Sequence, residues 1–173
     1  MAKRKIIVLD ADVIINFSKV ECLSRITSFL PKYDFIVLDK VYDELRDSLK
    51  NELRNNITYL KKIRKIEFPD GNVNILKEYA TLIKTFGKGE SACMSYCRFT
   101  DNVVGSSNFK DIRDYCNNNN ILYIGTVDFL YYGIKNKIIK QKEAEDILKK
   151  MIEKGSKLPQ GINFSNYNPT NIL

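Results

Sequence analysis

Asp10, Glu44, Glu90 and Asp111 stand beside apolar runs in a chain of 173 residues that contains no histidine. The missing imidazole excludes general-base histidine, Ser-His-Asp triads and His-ligated zinc, so catalysis must run on carboxylates, thiols, lysines or bound metal. Carboxylates gathered without basic partners repel one another, and such a cluster persists when something cationic neutralises it. Hard divalent ions with oxygen ligands meet that need, and Mg²⁺ or Mn²⁺ held this way can activate water against a phosphodiester. Asp12 adds a further acid two residues from Asp10. Each acid also has a purely structural reading. Asp10 can cap a strand end, Glu44, Glu90 and Asp111 can be first-turn acids complementing a helix dipole, and Asp12 can be an N-cap.

The elements that must position these residues are legible from hydrophobic periodicity. Ile6-Ile7-Val8-Leu9, closing on Asp10, reads as a buried parallel strand, and Phe35-Ile36-Val37-Leu38 as a second. Amphipathic helical patterns cover 13–17 and 23–30, up to Pro31. Val41, Leu45, Leu49 and Leu53 share one face of a helix predicted from about residue 40 past residue 60, which Glu44 opens. A short strand is expected at 66–68, a helix at 73–86, and another at 90–99 that Glu90 opens after Gly87-Lys88-Gly89. Val103-Val104 and 121–124 read as further strands, with helices at 111–116, 129–135 and 141–154. The Asn- and Pro-containing tail from about residue 155 reads as an irregular strap. Strands alternating with helices predict an α/β fold, a three-layer α/β/α sandwich with a central parallel sheet, in one domain over residues 1–173. In such folds ligands bind beyond the carboxyl ends of the strands, where Asp10 and Ser106-Ser107-Asn108 fall.

The net charge of +7 and pI near 9.1 favour a polyanionic partner such as nucleic acid or an acidic protein. Lys61-Lys62-Ile63-Arg64-Lys65 and the lysines of the last helices are candidates for a phosphate-tracking surface, against the alternative of solvated helix faces. Tyr131 and Tyr132 can stack on bases or belong to the core. Cys22, Cys93, Cys97 and Cys116 form no C-x-x-C pair and no signal-peptide pattern precedes them, so reduced core thiols in the cytoplasm are expected. No apolar run reaches bilayer-spanning length.

At four places the sequence resembles the PIN-domain family. Residues 6–15, IIVLDADVII, look like the family's opening strand, with Asp10 in the place of the first catalytic acid. Val41-Tyr42-Asp43-Glu44-Leu45 is similar to the second motif and Gly89-Glu90-Ser91-Ala92 to the third, which gives Glu44 and Glu90 the second and third acid places. Gly125-Thr126 resembles the last strand and helix of a subgroup that keeps this pair. The resemblance, over about residues 5–154, implies an Mg²⁺ or Mn²⁺ site of Asp10, Glu44, Glu90 and Asp111, supported by Asp12, Ser107, Asn108 and Thr126. It also implies cleavage of RNA, and it makes the toxin of a VapBC-type pair an expectation, with an acidic antitoxin and a second copy of the chain as protein partners. Two positions depart from the pattern. Asn108 fills a place often held by Asp, so the fourth acid is Asp111 or is missing, and a second ion should bind weakly. Asp12 stands where Asn, Ser or Thr is more usual.

Two other readings stay open. Leu9-Asp10-Ala11-Asp12-Val13 also resembles the first motif of haloacid-dehalogenase-type phosphatases, with Asp10 as nucleophile and Asp12 as general acid, although Ser106 stands where that family's later Asp belongs. The fold could also bind RNA or a protein without cutting.

Overall fold

Ile6–Leu9 is buried along its whole length, as a strand covered on both faces must be, and it forms the centre of a parallel sheet. The computed structural model describes residues 4–173. The strands are β1 (Ile6–Leu9), β2 (Asp34–Leu38), β3 (Arg64–Ile66), β4 (Val103–Gly105) and β5 (Tyr123–Ile124). Their order is β3-β2-β1-β4-β5, every pair parallel, with Val8 opposite Ile36 on one side and Val104 on the other. Successive strands after β1 run to one edge and then, from β4, to the other. The order therefore reverses between β1 and β4, which opens a crevice beyond their carboxyl ends.

The helices are α1 (Ala11–Lys19), α2 (Ile26–Phe29), α3 (Asp39–Glu44), α4 (Asp47–Thr58), α5 (Val73–Leu82), α6 (Lys88–Thr100), α7 (Phe109–Asn118), α8 (Thr126–Lys135) and α9 (Gln141–Glu153). One group, α3, α5 and α6, packs together against β1 and β2, while α1, α2, α8 and α9 form the other. The expected three-layer α/β/α sandwich is what the chain forms. Phe17, Phe29 and Phe129 meet at its heart, with ring centroids 5.9 and 6.1 Å from Phe17.

Several local expectations are corrected. The helix predicted from residue 40 past 60 is two helices, because Leu45 and Arg46 adopt extended backbone with ψ of 148° and 154°. The side-chain spacing at 41, 45, 49 and 53 suits one helix, but Leu45 is buried at the break. Glu44 therefore closes a helix instead of opening one. The edge strand lies at Arg64–Ile66, earlier than predicted, with its register set by Leu38 opposite Ile66. The pattern at 23–30 resolves into a short 3-10 turn (Leu23–Arg25) and the single turn of α2.

Residues 155–173 carry no helix or strand and run as an irregular strap. It is held by buried polar groups of α8. Asp128 is fully buried and accepts hydrogen bonds from the Tyr167 hydroxyl and the Thr170 amide, each at 2.8 Å. Its other oxygen accepts from the Gly125 amide at 2.8 Å. The Tyr132 hydroxyl donates to the Asn171 carbonyl at 2.8 Å, and the Leu173 amide donates to the same hydroxyl at 2.9 Å. Tyr132 is thus a core residue, and Tyr131 packs on Tyr167. All four cysteines are free and buried.

Candidate active site

The turn out of β1 places Asp10 at the N-cap of α1, where its Oδ1 accepts from the Ala11 amide at 2.8 Å. Its own amide donates to the Gly105 carbonyl at 2.8 Å, which carries the β1–β4 pairing one residue beyond the strand. Asp12 is therefore not the cap. It lies in the first turn, where its Oδ2 accepts from the Ser107 amide at 2.6 Å, across the crevice from α1 to the turn after β4. Its Oδ1 is out of reach of solvent and, among the described residues, has no well-formed hydrogen-bond partner.

Glu44, at the last turn of α3, sits where a helix dipole disfavours an acid. Its compensation comes from another helix. Its Oε1 accepts at 3.0 Å from the Gly89 amide, a first-turn N–H of α6 that no intrahelical bond can use. A Cβ on residue 89 would stand 2.6 Å from Glu44 Oε2 and 3.3 Å from Asp10 Oδ1, so any side chain there would displace the Glu44 carboxylate. Glu90 follows in the first turn of α6 and accepts from the Asn108 side-chain amide. The same Asn108 nitrogen donates to Asp111 Oδ2 at 2.8 Å. Asp111 does not reach back to the start of α7, where the Asn108 backbone amide donates instead to Ser106 Oγ at 3.2 Å.

These residues line a cleft of about 510 Å³, made by Asp10, Asp12, Glu44, Glu90, Ser107 and Asn108 together with neighbours including Asn16 and Lys157. Asp111 stands behind Asn108 and is not on the wall. Thr126 is behind Ser107, its amide donating to Ser107 Oγ at 2.7 Å and its own Oγ1 accepting from that hydroxyl at 2.8 Å and from Asn16 at 3.1 Å. A hollow of similar volume, about 490 Å³, lies by α9, but there Glu143 is paired with Arg25 at 2.8 Å and Asp146 with Lys142 at 3.1 Å. Among the described residues, no cation is paired with the crevice acids. Burial, and then the charges of Asp12 and Glu90, push the Asp10 carboxyl well above its ordinary range, against the Ala11 and Ser106 hydrogen bonds. Burial likewise raises Asp12 and Glu90, the latter with help from Asp111 and against the Asn108 hydrogen bond.

The sequence reading thus named the walls of this cleft, while Asn16 and Lys157 were missed. Asn16 reads as part of an amphipathic helix, and Lys157 lies in a tail with no periodicity to place it.

A family model for the PIN domain matches residues 6–162. The chain belongs to the PIN-domain family. Among solved structures, it resembles VapBC-1 from nontypeable Haemophilus influenzae at 16% identity, over 70% of this chain and 98% of that one, with a TM-score of 0.51. VapBC2 from Rickettsia felis, solved bound to a DNA fragment from their promoter, aligns at 11% identity over 69% and 98% of the two chains, with a TM-score of 0.48. No curated protein matches the chain in sequence. The acids of this cleft come from the carboxyl end of β1, the end of α3 and the start of α6.

Among the described residues, no three acids are arranged to hold one metal ion as they stand. Glu44 is engaged with Gly89, and Glu90 with Asn108. The donor set nevertheless fits a hard cation. All the candidate donors are carboxylate or amide oxygens, burial raises the carboxyls of Asp10, Asp12 and Glu90, neighbouring acids add to the rise at Asp10 and Glu90, and Asp12 Oδ1 is buried without a well-formed hydrogen bond among the described residues. No helix among the described residues is long and apolar enough to cross a membrane.

Proposed function

We propose that this PIN-domain chain is a metal-dependent endoribonuclease whose cleft is built from Asp10, Asp12, Glu44 and Glu90, with Asp111 acting through Asn108. The observation that carries the reading is the unpartnered Asp12 Oδ1 beside two other carboxyls raised by burial and mutual repulsion, at the point where the strand order reverses. A buried acceptor without a donor costs about 1–3 kcal/mol. Its retention beside like charges speaks for a cation of functional use.

Asp10, Asp12, Glu44 and Glu90 would hold Mg²⁺ or Mn²⁺, whose chemistry is to activate water and offset charge on the phosphodiester. The chain's own contribution is to keep the oxygens fixed. The Ala11 amide orients Asp10, the Ser107 amide orients Asp12, and the Ser107–Thr126–Asn16 hydrogen bonds stiffen the turn that carries that amide. Asn108 holds Glu90 and Asp111 apart from full repulsion by donating to both. The RNA strand has cations to follow along the β3 edge, where Lys65 lies 4.3 Å over the Tyr42 ring. The PIN family match over residues 6–162 favours this reading over a haloacid-dehalogenase-type phosphatase. An acidic antitoxin partner, a second copy of the chain and a cytoplasmic setting belong to the same proposal.

Asp10→Asn keeps a good N-cap and removes the charge. RNA cleavage with Mg²⁺ should fall by about a hundredfold or more, with an unchanged circular dichroism spectrum. Full cleavage by this variant, or by the wild-type chain in excess EDTA, would sink the reading.

A further inference from the structure

We propose that Lys157 is a phosphate-binding residue of this cleft, carried to its rim by the strap to receive the RNA backbone. The inference rests on the nuclease reading for its substrate class. Among the described residues, Lys157 is the one cation lining the acidic cleft. It also borders the small adjoining hollow of about 80 Å³ between Ser107, Thr126 and the strap, so it stands beside the Ser107 turn. Among the described residues its ammonium makes no ion pair with any acid and no hydrogen bond, and it is exposed.

Its backbone is not free to wander. On one side Ser156 is buried, its hydroxyl accepting from Lys19 Nζ at 3.2 Å and its amide bonded to the Met151 carbonyl at 3.0 Å. On the other side Leu158 packs against the core, and further along Asp128 secures Tyr167 and Thr170. A lysine fixed at its root and free at its tip suits a mobile polyanion. A strand entering a cleft of carboxylates meets repulsion at every phosphate, and a rim cation lowers that barrier where the phosphate nearest the acids would lie. An ammonium binds phosphate as a point charge without demanding one geometry.

The test is fluorescence anisotropy of a short labelled single-stranded RNA with wild type, Lys157→Gln and Lys157→Arg. It is run in EDTA, so that binding is read without cleavage. Lys157→Gln should weaken binding about fivefold at 0.1 M salt and lower the salt-dependence slope by about 0.7, the share of one phosphate contact on a single strand. Lys157→Arg should restore both. With Mg²⁺, Lys157→Gln should raise KM by a similar factor at nearly constant kcat. Wild-type affinity and slope in Lys157→Gln would overturn the proposal and leave Lys157 as a counter-charge to the acids. A wild-type chain that binds RNA through Lys157 yet cuts none would overturn the nuclease reading alone and leave this proposal standing.

Discussion

Asp128 and Asp12 are acids in the first turns of helices that leave parallel strands, yet their surroundings are opposite. Asp128, after β5, has both oxygens engaged, by the Gly125 amide on one and by Tyr167 and Thr170 on the other. Asp12, after β1, has one oxygen on the Ser107 amide and the other without a donor, with Asp10 nearby and raised. The same residue type in the same topological position serves structure where its hydrogen bonds are complete, and marks a site where they are not. Satisfaction of the carboxylate separates the two.

The largest test of that contrast is to break the satisfied acid. Asp128→Ala should cost about 3 kcal/mol in urea denaturation, since one buried and two half-buried donors lose one acceptor. Amide exchange should quicken across residues 155–173, whose hold on α8 runs through Asp128. A cost as small as that of a typical surface substitution, within about 0.5 kcal/mol, would erase the contrast.

The unsatisfied acids should behave in the opposite sense. With Asp10, Asp12 and Glu90 all raised, the folded chain without metal binds protons more tightly than the unfolded chain does. The stability this contributes is full below the ordinary carboxylate range, near pH 4. It is lost as pH rises through the raised values. Asp10→Asn removes part of that loss, so the variant should become more stable than wild type as pH rises toward neutrality. Urea midpoints in EDTA across that range measure it, and a difference that shrank toward high pH would contradict the linkage.

The smallest effect belongs to Asn108. Asn108→Asp replaces a donor shared by Glu90 and Asp111 with a further negative charge. The metal-free chain should lose about 1 kcal/mol, whereas Mn²⁺ should bind more tightly, as a rise in Tm on titration with the ion would show. Asp111→Asn should change Mn²⁺ binding less than Asp10→Asn does. An equal loss would put Asp111 in direct contact with the ion.

Where one residue type and one period decide the structure, the sequence was readable. The β-branched run of β1 made Asp10 visible, and Gly87-Lys88-Gly89 marked the start of α6 beside Glu90. What stayed hidden depends on contacts between distant segments. The break at Leu45 and Arg46 is invisible to side-chain periodicity, because Leu45 and Leu49 stay in phase across it, and so Glu44 was assigned to the wrong end of its helix. The choice of Asn108 between capping a helix and joining two acids depends on Glu90, eighteen residues away. The place of Lys157 depends on an anchor formed across 39 residues, between Asp128 and Tyr167. Such an anchor leaves no local signature in an aperiodic tail.

The bond from Glu44 to the Gly89 amide ties the end of one helix to the beginning of another, and on the proposed reading it also meters the ion. For Glu44 to turn toward a cation, the first turn of α6 must surrender an acceptor worth about 1 kcal/mol. The competent arrangement is then a minority, and apparent affinity drops about fivefold below that of the same carboxylates left free. On that reading the clasp raises the ion concentration that half-fills the cleft by the same factor.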